Sequence, residues 1–397
     1  MILSKKVGKI APSITLEITA KAKKMKAEGT DVIILAAGEP DFNTPLNIQN
    51  AAIEAIKNGY TKYTPASGID ELKTAICNKF KRDNNLNYSS SQIIISTGAK
   101  QCISNVFQAI LNQGDEVIIP KPYWVSYPEL IKLSDGVPVY VSGSRKNDFK
   151  YEEGTLRKAI TPETKAILLN SPNNPTGAIY SKEELSFIAN IAKENDLIII
   201  SDEIYENFNY GNSKCTSIAS LSEDAYNRTV VINGVSKTYS MTGWRIGYAA
   251  GSEKIINFMN NVQSHTTANP NSIAQYAVLE ALNGDQSSVG LMVKQFKDRR
   301  DYIVEEINSN NILSCLKPSG AFYIMIDISK MLGKVINGNR VNNSIDFCSL
   351  LLDEEKVAVI PGDGFGVSNY VRLSYAVSME TIKEGIKRIL NFVQKYQ

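Results

Sequence analysis

From about residue 50 to residue 280, stretches of helical periodicity alternate with short β-branched runs that end in Gly, Asn, Asp or Ser. The runs are Ile93–Ser96, Glu116–Ile119, Ala166–Leu169, Leu197–Ile200 and Thr229–Ile232. Their near-continuous apolarity predicts strands buried on both faces, as in a parallel sheet with helices on either side. Near residue 285 the pattern changes. A long charged helix is predicted over Lys294–Asn308, then strands over Phe322–Asp327 and Val357–Ile360, and a last helix over Met379–Tyr396. The first forty residues, ending in Gly38-Glu39-Pro40-Asp41, fit neither a helix nor a sheet of the large unit and are expected to return onto the C-terminal part. The fold class that follows is α/β: a large domain at 46–283 with a mostly parallel central sheet flanked by helices, plus a smaller α+β domain from 1–45 and 284–397. A length of 397 residues agrees with two units, since domains commonly run to ~100–200 residues.

Charge narrows the function. Lys plus Arg number 43 against 41 acidic residues, so a net +2 gives no field that would draw nucleic acid or an anionic membrane to the surface. The longest aliphatic runs, such as Leu197–Ile200, are strand-sized, far below the ~20 residues of a membrane span. Met1–Lys6 has basic residues with no apolar stretch behind them, which argues against a secretory signal. Five cysteines are scattered without a CxxC pair, so neither a disulfide framework nor a zinc site is expected. Together these features predict a cytoplasmic protein with no metal. The single histidine, His265, argues against most catalytic zinc sites, which use several imidazoles, and leaves only one candidate base for a Ser-His hydrolase. Its polar surroundings give it a structural or interface role, and any catalytic proton must travel on another side chain.

In open α/β sheets ligands bind beyond the carboxyl ends of the strands. Here those ends carry reactive residues. After Ile93–Ser96 comes Thr97-Gly98-Ala99-Lys100, a small-residue turn opening a helix and suited to phosphate. After Ala166–Leu169 comes the turn Asn170-Ser171-Pro172-Asn173-Asn174-Pro175-Thr176-Gly177, dense in amides. The next two strands deliver Ser201-Asp202-Glu203-Ile204-Tyr205 and Asn233-Gly234-Val235-Ser236-Lys237, and a further loop carries Met241-Thr242-Gly243-Trp244-Arg245. An anion pocket, a carboxylate, a phenol, amides, a lysine and an arginine at one end of one sheet match a phosphorylated aromatic aldehyde: the lysine for a Schiff base, the carboxylate for a pyridine nitrogen, the phenol and amide for a ring oxygen.

The order of these motifs resembles the aspartate aminotransferase family, class I aminotransferases of fold type I that use pyridoxal 5′-phosphate (PLP), and within it the bacterial broad-specificity subgroup. The resemblance covers nearly the whole chain. It rests on Ala37–Phe42, Lys62–Gly68, Pro122–Tyr127, Asn170–Gly177, Ser201–Tyr205, Ser236-Lys237 with Gly243–Tyr248, and Val371–Tyr375. It implies that Lys237 carries the cofactor as a Schiff base and moves the substrate proton. Asp202 would pair with the pyridine nitrogen, Tyr205 and Asn174 would bind the ring oxygen, and Trp124 would stack on the ring. Phosphate would be held by the backbone of Gly98, Ala99 and Lys100, by Ser236 and Arg245, and by Tyr63 from a second subunit, so a homodimer is implied. Arg372 would grip the substrate α-carboxylate as a planar fork, with Gly38, Asn174 and Trp124 around it.

The amino acid handled is less defined. The resemblance implies aspartate and glutamate with their 2-oxo acids, yet no second arginine for a distal carboxylate stands out. The run Ile10–Leu16 looks like the family's gating segment, with Thr15 as a hydrogen-bonding group. Members that also accept prephenate carry a lysine just before Pro-Ser, where this chain has Ala11. A cysteine-sulfur lyase of the same fold, and an aminotransferase preferring aromatic amino acids or alanine, stay open as alternatives. Gly362-Asp363-Gly364-Phe365-Gly366 lacks both the spacing and the position of a dinucleotide fingerprint.

Overall fold

In the computed structural model the apolar runs assemble into one seven-stranded sheet, in the order Ile93–Ser96, Gly247–Ala250, Thr229–Gly234, Ile198–Asp202, Thr164–Asn170, Glu116–Lys121, Val137–Ser142. Only Gly247–Ala250 runs antiparallel to its neighbours; every other adjacent pair is parallel. The structure describes residues 3–12, 14–211 and 214–396. Met1 and Ile2 of the N-terminal run, and Ser13 of the run Ile10–Leu16, lie outside them.

The strands are apolar throughout because alternate residues feed different cores. Val117, Ile119, Ala166 and Leu168 pack with Cys102, Ile103, Val106 and Phe107 of the helix Ala99–Ile110. Ile118, Ile167 and Leu169 point the other way, onto Leu185, Ile188 and Ile191 of the helix Lys182–Glu194. Each such side chain, fully buried, contributes roughly 1.5–3 kcal/mol, and a one-residue register slip would exchange the two faces.

Two strands of this sheet were not foreseen from the sequence. Gly247–Ala250 is a four-residue run with no β-branched side chain, Tyr248 being its one large residue, and owes its state to the neighbours on both sides. Val137–Ser142 contains Pro138, which suits its place at the sheet edge.

A second, antiparallel sheet has the order Ile360–Pro361, Tyr370–Ser374, Tyr323–Asp327, Ser314–Cys315. Around it pack the helices Ser287–Asn308, Ser344–Glu355 and Met379–Lys395. The strand expected over Val357–Ile360 is divided. Val357–Ala358 pairs in parallel with Ile33–Ile34, whereas Ile360–Pro361 joins the four-stranded sheet, so the chain changes partner at Val359. The N-terminal residues do return onto this half, and they carry a helix of their own, Ile14–Ala27, whose Ala22 packs with Leu352 and Ala358. No helix among the described residues is long and apolar enough to cross a membrane.

Candidate active site

The carboxyl ends of the parallel strands open into a cavity of ≈ 280 Å³, closed on the other side by Gly38, Tyr323 and Arg372. Its floor is Asp202, the last residue of its strand and 4% exposed. Tyr127 Oη donates to Asp202 Oδ2 at 2.6 Å, and the Ile204 N–H to Oδ1 at 3.3 Å. Asn170 Nδ2 donates to the Asp202 carbonyl at 3.0 Å, while Asn170 Oδ1 accepts from the Asn174 N–H at 2.8 Å, which fixes the amide-rich turn to the floor. Burial pushes the Asp202 carboxyl up to about 6, against both hydrogen bonds and the nearby Lys237 amine. A buried carboxylate of this kind is stabilised by a cation placed beside it.

Lys237 stands beyond the strand Thr229–Gly234, on a tight turn closed by bonds from the Ser240 N–H to the Lys237 carbonyl and from the Met241 N–H to the Ser236 carbonyl. Its Nζ donates to the Gly38 carbonyl at 2.5 Å. Burial lowers the amine to about 8, aided by Arg245 and Arg372 and opposed by Glu39 and Asp202. A lysine so depressed has far more of its neutral, nucleophilic form at physiological pH than a surface lysine does.

The phosphate-like corner is built on backbone geometry. Gly98, at φ 85, caps the helix Ala99–Ile110, whose first residues, Ala99 and Lys100, line the cavity, and a helix start suits an anion. Arg245 lies across this helix start: a Cβ on Gly98 would come 2.2 Å from its Nη2, the movable end of that side chain, and it is the positive φ of Gly98 that favours glycine. Arg245 is itself left-handed at φ 59, a strain of roughly 1–2 kcal/mol for a side-chain-bearing residue, and its Nη1 donates to the Thr242 carbonyl at 2.7 Å. Ser236, Ala99 and Lys100 line the same corner.

Arg372, 2% exposed, approaches from the four-stranded sheet. Its Nη1 donates to Asn174 Oδ1 and its Nη2 to the Ala36 carbonyl, both at 3.0 Å, and the guanidinium lies 4.5 Å from the Tyr323 ring and 5.0 Å from the Phe365 ring. Both hydrogen-bond partners are neutral, and Nε is buried with no partner. A buried cation held only by neutral acceptors is a seat for an anion.

Tyr205 Oη meets Tyr323 Oη at 2.9 Å. Trp124 lines the cavity, edge-on to Tyr127 and with Lys100 Nζ 5.0 Å from its ring centre. The structure thus brings together Gly38, Ala99, Lys100, Trp124, Asn174, Asp202, Tyr205, Ser236, Lys237, Arg245 and Arg372, with Gly98 directly beneath. Thr15 also lines the cavity. Tyr63 does not; it is 93% exposed on the outside of the chain. His265 is exposed at the end of the helix Glu253–Thr266 and takes no part.

Sequence reasoning gave no role to Tyr127, Asn170, Tyr323 or the Lys100 side chain. Tyr127 follows Trp124 by three residues at the start of the helix Ser126–Leu133, a spacing that places two rings on one side. Tyr323 had no such signal, since it comes from the far sheet.

A phosphorylated pyridine aldehyde fits this donor set. The Gly98 cradle with Arg245 and Ser236 suits the phosphate, buried Asp202 suits a protonated ring nitrogen, the depressed amine of Lys237 suits the aldehyde, and the unpartnered Nε of Arg372 leaves room for a substrate carboxylate.

Comparison with known proteins agrees with the geometry. Residues 30–389 match the family model described as aminotransferase class I and II. An aspartate aminotransferase of Bacillus sp. strain YM-2 is 52% identical over 99% of both chains. The crystal structure of the aspartate aminotransferase from Rhizobium meliloti superposes with a TM-score of 0.96 at 42% identity over 100% of both chains. That of the Thermus thermophilus aspartate aminotransferase with maleate gives 0.93 at 40% identity, over 98% of this chain and 99% of that one.

Proposed function

The chain belongs to the class I and II aminotransferases, and from that premise we propose that it exchanges the amino group between aspartate or glutamate and their 2-oxo acids, with Lys237 moving the proton. PLP, when bound, supplies the electrophilic aldehyde and the electron-withdrawing ring of the reaction. The chain's residues do the rest. Asp202 holds a proton on the ring nitrogen, Tyr205 and Asn174 serve the ring oxygen, and Trp124 covers the ring face. Gly98, Ala99, Lys100, Ser236 and Arg245 hold the phosphate. Arg372 would grip the α-carboxylate as a fork beside Gly38 and Asn174, so that the α-hydrogen would face the Lys237 amine, the group placed to take that proton and to return it.

The observation that carries this reading is the pair formed by Lys237, an amine lowered to about 8, and Arg372, a buried guanidinium with an unpartnered N–H, in one cavity. Preference for acidic substrates rests on a third cation. Arg245 serves the phosphate corner and Arg372 the α-carboxylate, which leaves the Lys100 ammonium, over Trp124, for a distal carboxylate. The Thermus relative was crystallised with maleate, a dicarboxylate.

The second subunit belongs to the same proposal. Leu46, Ile53, Ile56, Tyr60 and Tyr63 are exposed on and just after the helix Leu46–Lys57, an apolar face that suits a second copy, which would bring Tyr63 to its neighbour's phosphate. The division into a cofactor-binding part at 46–283 and a smaller part from 1–45 and 284–397 is supported by the two sheets and by the pairing of Ile33–Ile34 with Val357–Ala358.

Absorbance of the protein reconstituted with PLP tests the reading. A yellow band should bleach to the pyridoxamine form on addition of aspartate or glutamate and return with 2-oxoglutarate, and Lys237→Ala should not cycle. Bleaching by alanine or an aromatic amino acid, with aspartate and glutamate inert, would overturn the substrate assignment; absence of any band would overturn the site.

A further inference from the structure

The chain from Ala36 to Thr44 runs as a strap between the two halves of the cavity. The Ala36 carbonyl accepts from Arg372 Nη2 at 3.0 Å and the Gly38 carbonyl from Lys237 Nζ at 2.5 Å. Glu39 Oε2 accepts from Thr242 Oγ1 at 2.9 Å. Thr44 Oγ1 donates to the Ser240 carbonyl at 2.7 Å and accepts from the indole N–H of Trp244 at 3.0 Å. The strap is therefore bonded at one end to the arginine of the four-stranded sheet, and along the rest of its length to the turn that carries Lys237 and Arg245.

Its middle is held from outside by Arg299, which comes from the helix Ser287–Asn308 and is 5% exposed. Arg299 makes a fork to Asp41, Nη1 to Oδ1 at 2.7 Å and Nη2 to Oδ2 at 2.9 Å. Its guanidinium lies 5.4 Å from the Phe42 ring and 5.2 Å from the Phe296 ring, and Nη2 reaches Gln295 Oε1 at 3.4 Å. Nη1 also reaches the carbonyl of Tyr375 at 3.4 Å, the residue after the strand Tyr370–Ser374 that bears Arg372. One side chain thus ties the strap to the base of the carboxylate-binding strand. The neighbouring Arg300 is as buried, but donates to the Pro318 carbonyl and pairs with Asp301, away from the strap.

We propose that Arg299 is a positioning residue for transamination: by clamping Asp41 and the Tyr375 carbonyl it fixes the spacing between Arg372, which grips the substrate carboxylate, and Lys237, which moves its proton. The proposal rests on the roles given above to those two residues. A bidentate, charge-assisted pair with its guanidinium buried and its carboxylate partly exposed is rigid in a way a single lysine contact is not. In Gly38-Glu39-Pro40-Asp41 only Pro40 is buried, and displacement of reacting groups by about 1 Å costs on the order of 100-fold in rate.

The chain's two tryptophans, Trp124 and Trp244, supply a readout that needs no catalysis. In a Trp124→Phe background without cofactor, emission comes from Trp244 alone, whose N–H is bonded to the strap. Arg299→Met and Asp41→Asn are each expected to red-shift that emission and increase its quenching by acrylamide. In the otherwise wild-type holoenzyme they should lower kcat/KM for aspartate by about 100-fold, with Arg299→Lys intermediate. Arg300→Met should lower the thermal midpoint and leave both readouts in place. The proposal is overturned if Arg299→Met and Asp41→Asn lower the midpoint only, or if Arg300→Met gives the same spectral shift and rate loss. Should Arg299→Met fail to fold, Asp41→Asn, at a partly exposed carboxylate, decides alone. Should the wild type fail to transaminate, the emission arm still tests the clamp, so the two failures are distinguishable.

Discussion

Asp202 and Glu203 are chain neighbours and both buried, yet they face different surroundings. Asp202 turns into the cavity. Glu203 Oε1 accepts from the Ser201 and Ser217 hydroxyls at 2.8 and 2.7 Å, and burial, helped by Glu206, raises its carboxyl to about 8. A raised acid binds its proton more tightly in the folded chain than in the unfolded one. Its contribution is therefore fully present below the unfolded value of 4.5 and is lost as pH rises towards about 8. Glu203→Gln keeps an acceptor for both serines and should flatten that decline, gaining on the order of a few kcal/mol at pH 9 relative to pH 5; urea midpoints across this range check it. Lys100 belongs to the same scale. If its ammonium meets the distal carboxylate, Lys100→Ala removes a charge-assisted bond of about 1.5–3 kcal/mol. KM for aspartate and 2-oxoglutarate should then rise by roughly 10- to 100-fold, with turnover of alanine little changed, as steady-state kinetics on the three substrates will show.

At the scale of elements, the site depends on where each strand stops. The sheet places Asp202, Asn170 and the turn to Lys237 at one edge because their strands run parallel and in register, with Asn170 opposite Asp202 and Asp202 opposite Ile232. The helix Ala99–Ile110 begins at the same edge, and its cap, Gly98, combines a positive φ with contact to Arg245. Gly98→Ala would strain the backbone and push the far end of Arg245 from the helix start. Cofactor affinity is expected to fall by at least about tenfold, for a cost of about 1.4 kcal/mol, while backbone strain lowers the thermal midpoint of the cofactor-free protein by roughly a few degrees; titration with PLP measures the first and calorimetry the second.

For the whole molecule, the proposed second copy is tested at Tyr63. Tyr63 is exposed and lies outside the cavity. If a second copy receives it, each site of the dimer is composite, and Tyr63→Ala and Lys237→Ala subunits should complement. After mixing and reassembly, a hybrid dimer carries one site with both defects and one with neither, so about a quarter of wild-type activity should return. Two inactive proteins that stay inactive when hybrids are shown to form would place Tyr63 elsewhere.

How much of this was legible in the chain follows from the range of the forces involved. Strand burial, helix starts and the order of reactive turns are written locally, in apolar runs, in Gly98 before a helix and in Lys237 after a strand, so the sequence by itself determined the α/β architecture and the set of groups that could meet. It could not show Gly247–Ala250 as a strand, because a four-residue run without a β-branched side chain becomes one only when flanked on both sides. Nor could it divide Val357–Ile360 between two sheets, which depends on where Ile33–Ile34 returns. The partners that tune the site, Tyr127 on Asp202, Tyr323 on Tyr205, Arg299 on Asp41, lie 75, 118 and 258 residues apart in the chain. Contacts of that separation leave no periodicity to read; only closure of the tertiary structure decides them, because burial and the charges it brings near make a carboxyl hold its proton and a lysine surrender one.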